Sequence, residues 1–243
     1  MQTLALVGAA GGTGTTRLAV EIGATLARAG REVAVVDAAF GTQGLADYVP
    51  GRIGTDVTGV TTGDDEIGDA LVDLPAETPG RLALAPARAP FERLARAKTA
   101  GAAERFDQAV AAAGLSHDTV IVDTPPVAAN QAVAAVNAAD RVAAVTTDTP
   151  RGADALARMS ARLDDVQAGV DCTLVNFAAD ESVVEEADVR IPDSDVTTPG
   201  ACPACLDPDE RFAPAIAAAT ETALETALDL EFPDSGRLDG LLG

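Results

Sequence analysis

Short apolar runs alternate along the chain with segments in which apolar residues recur every three or four positions. The runs are typical of buried strands, and the periodic segments are typical of helices with one face in a core. In the first periodic segment Leu18, Ile22 and Leu26 share a face, and Gly30 stands where a C-terminal cap is expected. The predicted strands are Thr3–Val7, Glu32–Val36, Leu82–Ala85, Thr119–Val122, Val142–Val145, Cys172–Val175 and Asp188–Ile191. The predicted helices are one that begins near Thr15, then Asp65–Val72, Pro90–Ala113, Asn130–Ala138, Ala153–Leu163 and Asp209–Leu230.

Strands that are apolar throughout and separated by helices predict a mostly parallel sheet with helices on both faces. The expected fold class is therefore α/β with a doubly wound sheet. The 243 residues suffice for one such domain, which we expect over residues 1–232, with 233–243 as a short flexible tail. The Gly- and Thr-rich segment 51–65 is predicted to be a surface excursion. The last helix has a start signal at Asp207–Glu210, and Pro214 is expected to kink or restart it.

The charge balance is strongly acidic, with 38 Asp and Glu against 17 Lys and Arg and a formal net charge of −21. Lys98 is the only lysine. Such a surface suits concentrated salt, because at about 1 M salt the Debye length is roughly 3 Å; an ordinary acidic protein with a bias toward arginine is the alternative. Direct DNA binding is not expected, because the overall field repels phosphate.

Two further patterns bear on localisation. No apolar run approaches the roughly 20 residues of a membrane span, and no signal-peptide pattern opens the chain. We therefore expect a cytoplasmic protein, in a high-salt cytosol if the salt-adapted interpretation holds. The end of the chain, Ser235–Gly243, has one Arg, one Asp and several glycines. It lacks the cationic face of an amphipathic membrane anchor, so membrane contact is not expected.

A glycine-rich segment, Gly8–Arg17, directly follows the apolar run Leu4–Val7 and leads into the first helix. This frame binds phosphate through backbone N–H groups and a helix N-terminus. The usual loop also carries a Lys that reaches the outer phosphates; here Thr15 stands in its place, and Thr16 follows as a candidate Mg²⁺ ligand. Arginine is common in this chain, so a general avoidance of positive charge does not explain the lost cation. The pattern predicts a phosphate site and puts hydrolysis in doubt.

Four segments in chain order resemble the MinD/ParA group of deviant P-loop ATPases: Ala10–Thr16, Val35–Gly41, Val120–Pro126 and Leu174–Asn176. The segment from Ala138 to Thr147 is similar to the strand that follows in that family. The resemblance covers nearly the whole chain and implies a P-loop NTPase fold, ATP or ADP with Mg²⁺, protein partners and a homodimer. The nucleotide-binding residues that it implies are Gly11, Gly12, Thr13, Gly14, Thr15, Thr16, Arg17 and Asn176. It implies Thr16 and Asp123 as the Mg²⁺ site, and Asp37, Thr124, Pro125 and Pro126 as switch residues.

The departures from the family pattern lie at groups that act on the terminal phosphate. The signature Lys is Ala10, the loop Lys is Thr15, the second acid of the Asp-x-Asp is Ala39, and the glycine after Pro-Pro is Val127. Charge-assisted hydrogen bonds contribute about 1.5–3 kcal/mol each, so two lost lysines cost roughly 3–6 kcal/mol. The expected function is a regulatory or positioning protein with a degenerate ATP site and weak or absent hydrolysis. An active ATPase that uses a substitute cation, such as Arg17, Arg151 or an arginine of a partner, is an alternative.

Three of these residues have simpler interpretations that the sequence leaves open. Arg17 is either a cation that bends toward an anion or a solvated arginine on a helix surface. Asp123 is either a Mg²⁺ ligand or a carboxylate that caps a loop at a strand end. Asn176 contacts a base, as the resemblance implies, or forms a turn after its strand.

A second motif, Cys202-Pro203-Ala204-Cys205, is compatible with metal binding, redox chemistry or two unliganded loop cysteines. Two thiolates from each subunit of a dimer complete a tetrahedral site, and the Mrp-type iron–sulfur carriers of the same ATPase group are similar in having such a pair. A Zn or Fe–S carrier that uses Cys202 and Cys205 is therefore a further alternative. Cys172 is expected to be a small core residue. His117, the only histidine, is expected to be exposed, and nothing pairs it with a nucleophile.

Overall fold

A single, mostly parallel sheet forms the centre of the molecule. The computed structural model describes residues 1–63, 65–207 and 211–232. Within these ranges, eight strands form one sheet in the spatial order β3-β4-β2-β5-β1-β6-β7-β8. All neighbouring strands are parallel except β3 and β4. The strands are β1 (Gln2–Gly8), β2 (Glu32–Asp37), β3 (Val72–Asp73), β4 (Arg81–Ala85), β5 (Thr119–Thr124), β6 (Arg141–Thr147), β7 (Cys172–Asn176) and β8 (Val189–Ile191).

Helices cover both faces of this sheet. Strand β1 shows why its sequence is apolar from Leu4 to Val7: Leu4 and Leu6 face one core, while Ala5 and Val7 face another. All four side chains are fully buried, because successive residues of a strand point to opposite faces. The doubly wound α/β fold predicted from the apolar runs is confirmed. The helices are α1 (Thr15–Arg28), α2 (Val57–Thr62), α3 (Ile67–Ala70), α4 (Phe91–Ala97), α5 (Ala100–Ala113), α6 (Asn130–Ala138), α7 (Pro150–Asp165) and α8 (Phe212–Leu224).

The predicted helix Pro90–Ala113 is two helices. Helix α4 ends at Ala97, and α5 begins at Ala100 with Thr99 as its N-cap, whose hydroxyl accepts a hydrogen bond from the Ala102 N–H at 3.4 Å. A Thr residue can lie inside a helix or cap the start of a new one. Because apolar residues recur at helical spacing on both sides of Thr99, the sequence did not indicate the break.

The segment between β2 and β4 is more ordered than predicted. The expected surface excursion over residues 51–65 contains helix α2, which is capped by Asp56 and buries most of its length. The expected helix Asp65–Val72 is only α3, because Val72 and Asp73 form a short antiparallel strand against β4. Both predictions were wrong, because these elements depend on tertiary contacts that local composition does not encode.

The last helix is shorter than predicted. It ends at Leu224, where Glu225 adopts a left-handed conformation, rather than at Leu230. Residues 208–210, on which the predicted start signal depends, lie outside the described residues, as does the predicted tail 233–243. Pro214 neither kinks nor restarts the helix, because it lies in the first turn, where its missing N–H has no intrahelical partner to lose.

His117 is buried rather than exposed. Its Nδ1 lies 2.8 Å from the Ala113 carbonyl oxygen and 3.1 Å from the Ser116 hydroxyl. These contacts join the ring to the turn between α5 and β5, so His117 has a structural role there. Cys172 is buried in β7 as expected, and burial raises the pKa of its thiol to about 12. Among the described residues, no helix has the length and apolar character needed to cross a membrane.

The end of α1 provides a test of the predicted cap. Gly30 has φ +82°, and the N–H groups of Gly30 and Arg31 donate to the carbonyls of Ala27 and Leu26. An alanine there meets no atom within 4 Å but must adopt a left-handed backbone. We expect Gly30→Ala to lower the free energy of unfolding by about 1 kcal/mol in a denaturant titration. Gly101→Ala in α5, also without a close neighbour, is the matched control and should be neutral or slightly stabilising. Equal stability of the two variants would contradict the assigned cap.

Candidate nucleotide site

The glycine-rich loop connects β1 to α1 at the carboxyl edge of the sheet. Gly12 and Gly14 have φ values of +85° and +78°, and Gly14 is the N-cap of α1. Only glycine adopts such angles without strain, so these residues give the loop its turn. A Cβ on Gly14 would lie 2.4 Å from Asn176 Nδ2, which excludes a larger residue. The loop therefore has the glycines where its path requires them.

Hydroxyl groups occupy the interior of this loop. Thr15 is buried, and its Oγ1 lies 2.8 Å from Thr13 Oγ1. The Thr13 hydroxyl also lies within hydrogen-bond distance, 3.2 Å, of the Ala10 carbonyl oxygen. At the position of the family's loop Lys, the structure thus has a short side chain whose hydroxyl is engaged inside the loop. No ammonium group can extend from this position.

Asn176 supports the loop from the neighbouring strand β7. Its side chain is 3% exposed, and Nδ2 donates to the Thr13 carbonyl oxygen at 3.0 Å. This contact differs from both the turn and the base contact considered from the sequence, since the amide holds the backbone of the loop. A base contact by Asn176 stays a prediction.

A cavity of about 300 Å³ opens beneath the loop. It brings together most of the predicted site residues, whereas Asp37 and Asn176 are buried behind it and do not line it. The lining residues are Gly8, Ala10, Gly11, Gly12, Thr13, Gly14, Thr15, Thr16, Arg17, Ala39, Thr42, Gly44, Tyr48, Asp123, Thr124, Pro125 and Pro126.

Asp123 lies at the end of β5 with 1% of its surface exposed. Its Oδ2 is buried and has no hydrogen-bond partner among the described residues. Burial raises the pKa of Asp123 to about 6, and a hydrogen bond from the Thr16 hydroxyl opposes part of that rise. A free carboxylate oxygen beside a threonine hydroxyl is the donor set that Mg²⁺ prefers. The residues present therefore fit the predicted magnesium site.

Asp37 is fully buried at the end of β2, opposite Asp123 in the register of the two strands. Its carboxylate accepts hydrogen bonds from the N–H groups of Ala39 at 2.7 Å and Ala87 at 3.1 Å. Burial, and then the neighbouring Asp123, raise the pKa of Asp37 to about 8. Asp37 thus holds the backbone that follows β2 and β4, and its switch role stays a prediction.

Arg17 is neither solvated nor free. Its Nε lies 3.4 Å from Glu21 Oε1, and its guanidinium carbon lies 5.2 Å from the centre of the Phe212 ring. Nη2 is buried without a hydrogen-bond partner among the described residues. Arg17 lines the cavity, while its guanidinium packs against Glu21 and Phe212.

Glu21 is a residue that the sequence analysis missed. It is fully buried in α1 and accepts hydrogen bonds from the N–H groups of Ala204 at 3.0 Å and Cys205 at 2.9 Å. A charged residue on the apolar stretch Leu18–Leu26 was the available signal, since a buried carboxylate needs donors. Glu21 joins the first helix to the segment that contains the two cysteines.

The cysteine pair does not form a shared open site. Cys205 is 2% exposed; its thiol donates to the Glu21 carbonyl oxygen at 3.2 Å and accepts from the Thr25 hydroxyl at 3.4 Å. Cys202 is half-buried, and its thiol lies 3.5 Å from the Thr198 carbonyl oxygen. Burial raises the pKa of both thiols, and no group of three metal-ligating side chains occurs among the described residues. The predicted Zn or Fe–S site at Cys202 and Cys205 is not supported, because the Cys205 sulfur faces its own core.

The raised pKa of Asp123 predicts a pH dependence of stability. Its folded-state value of about 6 lies above the ordinary value of 3.8, so between these values the native state binds more protons than the unfolded state. The free energy of unfolding should therefore fall as pH rises from about 4 to about 6. We expect Asp123→Asn, without ligand at pH 8, to be more stable than the wild type by about 1–3 kcal/mol. Denaturant titrations from about pH 4 to about pH 8 measure this, and a destabilised Asp123→Asn protein would refute the assignment.

Removal of Glu21 should destabilise the protein. Glu21→Ala leaves two buried N–H groups and Arg17 without their acceptor, so we expect a loss of about 3 kcal/mol in the free energy of unfolding. Under native conditions, Cys205 should react faster with a thiol reagent. Glu104→Ala at an exposed site of α5 is the control and should change stability by less than about 0.5 kcal/mol. Similar losses in both variants would show that Glu21 has no special role.

Comparisons with known proteins agree with this geometry. A family model described as an AAA domain matches residues 1–175. A sequence comparison with curated proteins finds no match.

Solved structures share the fold over most of the chain. The septum site-determining protein MinD of Pyrococcus horikoshii, complexed with Mg-ADP, is 16% identical with a TM-score of 0.74, covering 90% of this chain and 94% of that one. The MinC:MinD cell division protein complex of Aquifex aeolicus gives 21% identity, a TM-score of 0.75 and coverage of 95% and 98%. A ParA family ATPase of Chlorobium tepidum is 18% identical with a TM-score of 0.69, covering 80% of this chain and 85% of that one. The chain therefore belongs to the AAA domain family and has the P-loop fold of the MinD and ParA ATPases.

Proposed function

We propose that the chain is a nucleotide-binding regulatory or positioning protein of the MinD/ParA type, with a degenerate ATP site that hydrolyses ATP weakly or not at all. The observation that carries this proposal is the buried Asp123 Oδ2, which has no partner among the described residues and adjoins Thr16 in a cavity beneath a glycine loop. The MinD of P. horikoshii, with the same fold, is complexed with Mg-ADP.

Separate groups of residues would bind the phosphates and the magnesium ion. The glycines of the loop and the start of α1 present backbone N–H groups, which bind phosphate oxygens and favour negative charge. Thr16 and Asp123 would hold Mg²⁺, which reduces the negative charge of the phosphates when it is bound. Asn176 holds Thr13, and Asp37 holds the backbone of Ala39, so hydrogen bonds within the chain position both sides of the cavity.

The groups needed for turnover are missing from the same cavity. Ala10, Thr15 and Ala39 supply neither a cation nor an acid at its wall. Val127, which follows Pro-Pro, is 5% exposed and packs in a hydrophobic cluster instead of providing a flexible glycine. Phosphoryl transfer depends on positioning and charge stabilisation. The missing groups therefore lower the rate of hydrolysis more than the affinity for nucleotide.

Protein partners and a homodimer across the loop face belong to the same proposal. A. aeolicus MinD, which has this fold, forms a complex with MinC. The net charge of −21 supports a protein partner rather than DNA. That charge and the single lysine also support a cytoplasmic protein adapted to high salt.

An active ATPase with a substitute cation is the second candidate. Arg17 favours it, because Arg17 lines the cavity and its buried Nη2 has no acceptor among the described residues. The two candidates differ in turnover, so one pair of measurements separates them.

We expect ATP or ADP with Mg²⁺, at about 100 times its dissociation constant in molar salt, to raise the melting temperature by roughly 5–10 °C. Asp123→Ala should abolish this shift, because it removes the acid of the magnesium site. Asp107→Ala, an exposed position of α5, should retain it. Steady-state hydrolysis of Mg-ATP should stay near background; robust turnover that Asp123→Ala abolishes would establish the second candidate instead. No shift with any nucleotide would refute both.

A further inference from the structure

An exposed phenylalanine adjoins the glycine loop on the side away from the buried carboxylates. Phe177 directly follows β7, and 41% of its surface is exposed. The far end of its ring approaches the start of α1, since a Cβ built on the N-cap residue Gly14 would lie 3.2 Å from Phe177 Cζ. The ring therefore lies beside the loop but outside the cavity beneath it.

The backbone of Phe177 has a conformation that phenylalanine rarely adopts. Its φ is +57°, in the left-handed region, where a bulky side chain is an outlier. On one side of it, the Asn176 amide donates to the Thr13 carbonyl oxygen at 3.0 Å. On the other side, the Ala178 N–H donates to the Ile191 carbonyl oxygen at 2.9 Å. Strain of this kind persists where the surrounding structure imposes it, and it is concentrated at ligand sites.

The segment that follows Phe177 is ordered by one carboxylate. Asp148 accepts hydrogen bonds from three backbone N–H groups and one hydroxyl, at 2.8–3.2 Å: those of Ala179, Val183, Val184 and Ser182. Phe177 thus lies between two segments that are both held by hydrogen bonds. A ligand that covers its ring has little backbone to order, so the contact contributes more of its free energy to binding.

The strand order places this ring at the opposite end of the site from the magnesium ligands. Asp123 ends β5 and Phe177 follows β7, while β1, which leads into the glycine loop, lies between them together with β6. If phosphates bind at the loop with Mg²⁺ at Thr16 and Asp123, the metal end of the ligand lies on the β5 side. The other end of a nucleotide, which carries the base, then extends toward β7 and Phe177.

We infer that the base of the bound nucleotide stacks on the ring of Phe177, which makes this residue the base-binding surface of the site. The inference rests on the proposed function, in that the loop binds a nucleotide. A base has a planar π-face, and its stacking on an aromatic side chain typically increases affinity by about tenfold. Asn176 contributes indirectly, because its amide holds the loop backbone at Thr13.

Calorimetric titrations of the full chain with Mg-ADP, Mg-ATP and Mg-pyrophosphate in molar salt test this inference. Phe177→Ala should weaken the binding of both nucleotides by about tenfold, because they carry the same base. It should leave the binding of pyrophosphate unchanged, because pyrophosphate contacts the loop without a base. Phe91→Ala removes an exposed ring of α4 that does not line the cavity, and this control should bind all three ligands as the wild type does.

Two further variants separate stacking from apolar packing. Phe177→Tyr keeps the aromatic face and should bind Mg-ADP as the wild type does. Phe177→Leu keeps an apolar side chain without a π-face and should bind about tenfold more weakly. Proton NMR of the bound ADP gives a direct readout, because an aromatic ring moves the resonances of a stacked base to higher field. This shift should be present with the wild type and Phe177→Tyr and absent with Phe177→Leu.

The outcomes separate the inference from the proposed function. Nucleotide binding that is unchanged in Phe177→Ala overturns the inference and leaves a nucleotide-binding protein. An equal loss of pyrophosphate binding in that variant also overturns it, because the ring then supports the loop rather than a base. If pyrophosphate binds too weakly to measure, the difference between Phe177→Tyr and Phe177→Leu decides, and equal affinities overturn the inference. The absence of binding by either nucleotide to the wild type overturns both.

Discussion

Parallel pairing at the centre of the sheet determines the arrangement of the whole site. Strand β1 lies between β5 and β6, and β5 also pairs with β2. In this register Val7 lies beside Thr124, and Asp37 lies beside Asp123. The glycine loop and the two buried carboxylates therefore emerge at one edge, where ligands bind in open α/β sheets. This pairing needs strands that are apolar on both faces, so the same residues that build the core also position the chemistry.

The buried carboxylates give the site an electrostatic character that its loop does not suggest. Asp37 and Asp123 are desolvated side by side, which raises both pKa values. Asp37 accepts hydrogen bonds from backbone N–H groups, and Asp123 lies beside the Thr16 hydroxyl. Negative charge at this edge of the sheet is therefore compensated by dipoles and by whatever cation binds, rather than by the chain itself.

The sequence predicted the sheet and the loop well because both depend on local pattern. The apolar runs identified seven of the eight described strands, and Gly30 was correctly placed at the end of α1. The strand β3, helix α2 and the break at Thr99 were missed, because each depends on a distant partner or on a cap within a periodic stretch.

For the site, the family resemblance implied that Thr16 and Asp123 act together, and both line one cavity, but it did not reveal how Arg17 and the cysteines are arranged. The reason is Glu21. Its carboxylate binds N–H groups about 180 residues away in the chain, and this contact turns the Cys205 thiol into the core. No motif encodes such a contact, because a buried acid is recognised only once its donors are known.

The Asn176 amide has a consequence for how fast the loop can accept a ligand. Since a side chain of the protein itself holds the Thr13 carbonyl, the loop has less of the conformational freedom that a disordered segment would lose on binding. Encounter with an anion then does not wait for the backbone to fold around it. Association at this loop is expected to be limited by diffusion through a repulsive acidic field rather than by ordering of the polypeptide.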